Sequence, residues 1–328
     1  MVSIVCTPLL LSRIFFAEFR ADVDITGEIH WIKRIITSCH YAATKSGAII
    51  VPSRGFDAMP SDIVTYIASK TLRGSSGGTV ATILSDLDNV SREERRASHK
   101  EYSLSPSIGV LAPRRPLVHR LFVPDTSKTL IGSLFFMTQP DRLIVQRSWG
   151  LFEVEAAQDK SSVRYGPTFK YDEFLITGSA LSAVLLTLSL VIGLRCMLIP
   201  PLRWLFKKFL PQPGEGPSES VQNNGFMELT NITTAVPSSP GAAPLQVKSL
   251  MNGQGDPGYK LTALFLSEAA LCLALAHDAL PAIGRRGGVL TPATALGDVL
   301  VDRLAATRQV TFESKIVTAR TREGKKIV

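Results

Sequence analysis

Three short stretches hold residues that could bind a ligand. Asp24-Ile25-Thr26-Gly27-Glu28 leaves one apolar run and enters a helical pattern. Gly55-Phe56-Asp57-Ala58-Met59-Pro60-Ser61-Asp62 leaves the next apolar run and enters another. Gly74-Ser75-Ser76-Gly77-Gly78-Thr79 is the third, where Gly77, Gly78 and Thr79 would let a backbone approach a ligand closely. Carboxylates and amides at helix N-termini offer hydrogen bonds to hydroxyl and phosphate groups. Asp24, Glu28, Asp57 and Asp62 would order a ribose or a helix N-terminus rather than move protons. The same residues also suit plain turn and cap chemistry, with Gly for positive φ and Asp or Ser for N-caps. The glycines of 74–78 suit a flexible connection equally well.

Nucleophilic and metal chemistry find no support. There is no G-x-S-x-G, H-E-x-x-H, P-loop or zinc spacing. The histidines at 30, 40, 99, 119 and 277 share no i, i+4 pattern and read as helix or surface residues. Tyr165 and Lys170 could give a proton to a reduced substrate, although nothing in their spacing singles them out. The string Gly253-Gln254-Gly255-Asp256-Pro257-Gly258 matches G-x-G-x-x-G. No convincing strand precedes it, and Pro257 removes an amide that a phosphate cradle would want. Asp256 there most simply caps a helix running from Tyr259 to His277, with substrate contact as the sharper alternative.

The elements that position these residues alternate. VSIVC (2–6) and ADVDIT (21–26) read as strands. A helix from Glu28 to Lys45 follows, ended by Gly47 as a C-cap. AIIVP (48–52) is too apolar to face water on either side. Ser61 and Asp62 open a helix to about Leu72, and TVATIL (79–84) is a further strand candidate. Alternation of this kind implies a parallel sheet, whose ligands sit beyond the carboxyl ends of its strands. Near the C-terminus a helix is expected from about Thr291 to Ala306, and the last residues, TFESKIVTARTREGKKIV, read as a basic frayed end.

Composition narrows the class. The 328 residues carry 36 Lys+Arg and 28 Asp+Glu, a net charge of +8, and 45% are hydrophobic. That excludes collagen-like, wholly disordered and polytopic membrane chains. Four scattered cysteines exclude a disulfide scaffold. The basic residues accompany no nucleic-acid reading motif, so no nucleic-acid partner is expected.

VDITGE (23–28), GFDAMPSD (55–62) and SSGGT (75–79) together resemble the saccharopine dehydrogenase-like oxidoreductases. Within that group they are similar to the trans-acting enoyl reductase branch. The likeness continues, in family order, through YGPTFKYDEF (165–174), PPLRWLFKKFLPQPGEGPSE (200–219), GDPGY (255–259) and GGVLTPATALGDVLVDRL (287–304). It implies an N-terminal Rossmann domain, a second α/β domain and a C-terminal segment that returns to the first. It implies reduction of an α,β-unsaturated acyl group, polyketide- or fatty-acyl-type, with NADPH or NADH. Asp24, Glu28, Gly55, Asp57 and Asp62 would then face the cofactor, and Gly77, Gly78, Thr79, Asp256 and Tyr259 the substrate. The family's glycine-rich opening turn is not in this sequence, so VSIVCTP aligns with a later Rossmann strand, with Thr7 in place of a glycine. Arg54 stands where the family commonly has Cys.

The fold class expected is therefore α/β: a partial Rossmann-type parallel sheet, then a second α/β (α+β) domain with a long hydrophobic helix. Residues 1–72 would form the Rossmann-like part and 73–174 the start of the second domain. Residues 175–210 would be a hydrophobic helix with a basic-aromatic tail, 211–252 a flexible linker, and 253–328 returning helices. Leu175 to Leu194 is 20 residues without a charge, and seven of them are Gly, Ser or Thr. Gly178, Ser182, Ser189 and Gly193 make a small-residue stripe suited to helix contact. LRWLFKKFL (202–210) mixes cations with aromatics as membrane interfaces do. A helix dipping into the cytoplasmic leaflet is favoured over a span, because a span would put the Asp57 and Asp62 motifs in a lumen. Burial in protein or in a homo-oligomer is the third option. The function class stays open between an NAD(P)H-dependent reductase and a non-catalytic, membrane-associated family member or partner subunit.

Overall fold

A computed structural model describes residues 21–24, 27–56, 58–71, 93, 97–111, 116–123, 125–126, 128–159, 163–197, 199, 201–202, 217–235 and 246–317. The strand candidates at 2–6 and 79–84, the glycine stretch 74–79, Asp57 and the basic-aromatic residues 203–210 lie outside the described residues.

The first unit is an α/β layer. Strand β1 (Ala21–Val23), helix α1 (Ile29–Ser46), strand β2 (Ile49–Val51) and helix α2 (Met59–Thr71) follow in order. All three β2 residues are buried, as an apolar strand covered on both faces must be. α1 buries Ile32, Ile35, Cys39 and Ala43 at helical spacing and ends on Gly47 with φ 76, the left-handed C-cap. β1 and β2 pair in parallel, and β8 (Gly288–Val289) adds to β2's other side, also in parallel. His40 Nδ1 accepts Val289 N–H at 3.1 Å and so ties β8 to α1.

Two antiparallel sheets follow among the described residues. β3 (His119–Val123), β4 (Lys128–Ser133) and β5 (Leu175–Thr177) form one. β6 (Phe226–Thr234), β7 (Gln246–Gln254) and β9 (Val310–Val317) form the other, with β7 central. β6 and most of β7 fall inside the stretch read as a linker, and nearly all of β9 inside the stretch read as a frayed end. The physical reason is alternation. Met227, Leu229 and Asn231 face the core while Phe226 and Glu228 face out, a period-two pattern that the surrounding Pro, Gly and Ser obscure.

Helix α3 (Thr138–Gln158) is buried through most of its length. It holds the segment 97–105 against the core: Tyr102 N–H donates to Gln146 Oε1 at 2.8 Å, and Arg147 donates to the Leu104 and Val289 carbonyls. The uncharged run splits into two elements. Leu175–Thr177 pairs with β4, and only from Ala180 does helix α4 (Ala180–Met197) begin. α4 packs through Ala183 and Thr187, whose hydroxyl accepts Leu134 N–H at 3.1 Å and donates to the Leu117 carbonyl at 3.1 Å. A Cβ at Gly178 or Gly193 would meet nothing within 4 Å, so the small-residue stripe makes no helix contact among the described residues.

After the short helix α5 (Glu219–Asn224), a π turn at Pro257–Leu261 leads into α6 (Thr262–Leu275). Among the described residues, Pro257–Leu275 is the stretch long and apolar enough to cross a membrane. One face of it packs on α8 (Pro292–Ala306) through Phe265, Ala269, Cys272 and Leu273, while Leu271 and Leu275 are exposed. A short helix α7 (Ala282–Arg286) precedes β8.

Candidate active site

The carboxyl ends of the three parallel strands share one edge. Asp24 follows β1: its carbonyl accepts Arg54 N–H at 2.8 Å, and its own N–H donates to the Val51 carbonyl at 3.3 Å. Ser53, just beyond β2, holds φ 60, a left-handed conformation uncommon for a non-glycine residue. Gly55 is buried beside it and accepts Met59 N–H at 3.4 Å. Glu28 is the N-cap residue of α1 without a side-chain cap bond, and its carboxylate lies 3.8 Å from His30 Nε2. Asp24, Glu28 and Gly55 thus share the edge.

Asp62 has another task. It is 0% exposed, and its two oxygens accept Ser148 O–H and, at 2.7 Å, Ala293 N–H. Burial pushes its carboxyl up to about 7. It caps a helix, as Asp near a helix start can, but the helix is α8 rather than its own α2. Asp22 in β1 is pushed up to about 6, first by burial and then by the nearby Asp24 charge.

Arg54 is the group no spacing rule flagged. It is 0% exposed at this edge, and none of its guanidinium nitrogens has a hydrogen-bond partner among the described residues. Burial lowers its pKa to about 9. A buried cation without hydrogen bonds is costly unless an anion meets it. The cation therefore acts on the edge from behind rather than by contact, and with the start of α1, which lacks a side-chain cap bond, it favours an anion there.

The G-x-G-x-x-G string does not belong to the edge. Gly253 sits in β7, where a Cβ would press on Leu261 at 2.7 Å, and Gly255 turns the chain with φ 123. Asp256 accepts Tyr259 N–H at 2.7 Å, so both residues serve the π turn. Tyr165 packs against Phe152 and Phe169 in the core, and Lys170 is exposed.

A cavity of about 520 Å³ opens next to the edge. Phe56, two residues beyond Arg54, forms one wall, and its N–H donates to Thr262 Oγ1 at 2.9 Å. The antiparallel sheets supply the others: His119, Arg120 and Leu121 from β3, Asp172 to Ile176 before and in β5, and Met227 to Thr230 with Ile232 from β6. Neither Asp256, Tyr259, Tyr165 nor Lys170 lines it. Its size suits a small ligand, and its lining mixes apolar side chains with polar groups from both antiparallel sheets. His119 carries no spacing signal, yet it is 5% exposed and stacked on Phe174 with ring centroids 5.3 Å apart.

No protein-family model matches the chain. It is similar to curated proteins along most of its length. A protein of Mycobacterium tuberculosis named as a trans-acting enoyl reductase is 32% identical over 317 residues, covering 86% of this chain and 71% of that protein. A trans-acting enoyl reductase of Mycobacterium bovis is 30% identical over 318 residues, with the same 86% and 71% coverage. One from Mycobacterium ulcerans is 28% identical over 330 residues, 89% of this chain and 74% of its own.

Proposed function

The chain belongs to the trans-acting enoyl reductase family, and from that premise we propose that it reduces the carbon–carbon double bond of an α,β-unsaturated acyl thioester. The substrate class is a polyketide- or fatty-acyl-type intermediate carried on a synthase, in secondary metabolite biosynthesis. The observation that carries this reading is the 520 Å³ cavity abutting the carboxyl edge of the parallel sheet through Phe56. An acyl chain would lie against Phe56, Phe135, Phe174 and Leu229, with its thioester end toward the edge.

NADPH is the proposed cofactor, and when bound it would supply hydride to the β-carbon. Arg54, Asp24, Glu28 and Gly55, with Asp57 outside the described residues, are the groups proposed to hold it, in a saccharopine dehydrogenase-like Rossmann arrangement. Arg54, buried behind the edge, would act on a phosphate through its field rather than by contact, and the carboxylates would accept from ribose hydroxyls. The cavity walls would exclude water from the acyl chain. The direct test incubates the purified chain with NADPH and an enoyl N-acetylcysteamine thioester. Loss of the cofactor's near-ultraviolet absorbance with formation of the saturated thioester is the expected result. Absence of both, for NADPH and NADH alike, would overturn the reading.

A second reading, attachment to a membrane surface, draws on a different observation. Leu181, Leu185, Leu188 and Ile192 follow one stripe of α4 and are 69%, 59%, 44% and 58% exposed. It is compatible with reductase activity and with a non-catalytic partner role.

A further inference from the structure

The sheet of β6, β7 and β9 ends in β9, and among the described residues no strand pairs with β9's far side. The opposite margin of the sheet is taken up by the cavity, which Met227 to Thr230 of β6 line. A strand edge presents a row of backbone N–H and C=O groups that can pair with another strand. β9 runs for eight residues, Val310–Val317, without Pro or Gly, and its pairing with β7 is unbroken. Phe312, Ser314 and Ile316 share the core face with the buried Val247, Ser249 and Met251 of β7. Yet Ile316 on that face is 56% exposed. Thr311, Glu313 and Lys315 lie on the other face and are exposed. The Asp125 carboxylate there is already engaged by Lys248, the cross-strand neighbour of Lys315, at 3.0 Å.

We propose that β9 is a self-pairing edge, on which a second copy of this chain docks antiparallel about Ser314, so that the two three-stranded sheets become one. The sequence of the strand selects this register. A two-fold axis perpendicular to the sheet pairs two copies of β9 and keeps both cores on the same side. Opposed residues in such a ladder share a face, so the axis passes through a residue rather than between two. Through Glu313 it would set two carboxylates opposite each other, and through Lys315 two ammonium groups, both destabilising. Through Ser314 it sets Glu313 opposite Lys315 of the partner subunit, twice by symmetry, and Phe312 opposite Ile316 of the partner subunit, also twice. Opposite charges then meet on the outer face, and the exposed Ile316 is covered on the core face. Each cavity stays at an outer end of the joined sheet, beside its own β6 and open to a carried substrate. The inference does not rest on the reductase reading.

The test reads the mass of the intact chain by analytical ultracentrifugation over a range of concentrations. Wild type should be a dimer. E313K sets cations opposite one another at both charge pairs and should weaken the dimer about tenfold or more, with an unchanged melting temperature at concentrations where it is a monomer. E313K/K315E exchanges the signs within one strand, keeps the pairs complementary and should restore the dimer. S314C places the two thiols directly across the axis, within disulfide reach, and mild oxidation should cross-link two chains. T311C, about 20 Å from its own copy in this register, should cross-link no more than wild type, whose own cysteines give the background. L185E/I192E should leave the dimer intact, which separates β9 from the exposed stripe of α4. A wild type that stays a monomer, a dimer that E313K leaves unchanged or S314C fails to cross-link, or one that L185E/I192E dissociates, overturns the proposal.

Discussion

The carboxylate of Asp62 accepts the backbone N–H of Ala293 at 2.7 Å, joining two helix starts 231 residues apart in sequence. The same carboxylate takes the Ser148 hydroxyl, which also contacts the Thr291 hydroxyl at 2.6 Å. Thr291 completes a capping box with Thr294 at the start of α8. One buried acid thereby fixes α2, α3 and α8 together behind the parallel sheet, and the edge residues are aimed by that junction. Near a helix start, local sequence cannot tell an acid that faces a ligand from one that caps another helix.

Asp62 makes stability pH-dependent in a direction opposite to most carboxylates. Its carboxyl is raised from 3.8 to about 7, so the native chain keeps a proton that the unfolded chain gives up. Its contribution is full below about pH 4, declines as pH rises to about 7, and is level above that. D62N cannot titrate. Chemical denaturation of both proteins from pH 4 to 8 should show wild type losing ground to D62N by up to about 1.4 kcal/mol per pH unit, then a plateau. D62A, which leaves Ala293 N–H unsatisfied, should cost about 1–3 kcal/mol at every pH. A stability difference between wild type and D62N that does not vary with pH would count against a raised native carboxyl.

Arg54 gives two opposed expectations from one substitution. In the free protein, R54M removes a buried charge without hydrogen bonds, so stability should stay level or rise by about 1–4 kcal/mol. With dinucleotide present the order should reverse. NADPH affinity, followed by fluorescence, should weaken about tenfold or more, because the field of a cation buried behind the edge is lost. Destabilised R54M with unchanged affinity would make Arg54 a structural cation paired with Asp22 and Asp62.

Gly132 sits in β4 under the His119 ring's stacking partner. A Cβ there would overlap the Phe174 ring and come 2.5 Å from the Leu175 carbonyl oxygen. G132A should therefore push Phe174 into the cavity or away from His119. Overpacking of this kind costs about 1–3 kcal/mol, and KM for the acyl thioester should rise with it. A melting curve and a saturation curve on the same preparation check both.

The legible part of this structure was the part encoded locally. β1, α1, Gly47, β2 and α2 follow from periodicity, a C-cap glycine and one fully apolar run. What stayed hidden depends on pairings between distant segments. β7 is framed by β6 before it and β9 some sixty residues later, and its own sequence, QVKSLMNGQ, has one side buried only because both neighbours exist. His119 and Asp172 line one cavity from a strand and a loop, and no spacing rule links them. Arg54 showed only as a departure from the family's Cys; its meaning came from burial.

The last expectation concerns α4. Ala183 and Thr187 face β4, so the stripe Leu181, Leu185, Leu188 and Ile192 is the opposite, uncovered side. Full burial of a Leu-sized side chain contributes ~1.5–3 kcal/mol, so four of them leave a strong drive toward an apolar phase. The residues that follow in sequence, LRWLFKKFL (202–210), bring three cations and three aromatics, a composition suited to an anionic lipid surface. We expect the chain to float with phosphatidylserine-containing vesicles in a density gradient. The double variant L185E/I192E should stay at the bottom, with an unchanged melting temperature because neither side chain contacts β4. High salt should weaken flotation only in part, since screening removes the cationic contribution and leaves the apolar one. Wild type that stays at the bottom as a dimer, with the double variant a monomer, would mean that a second copy covers the stripe.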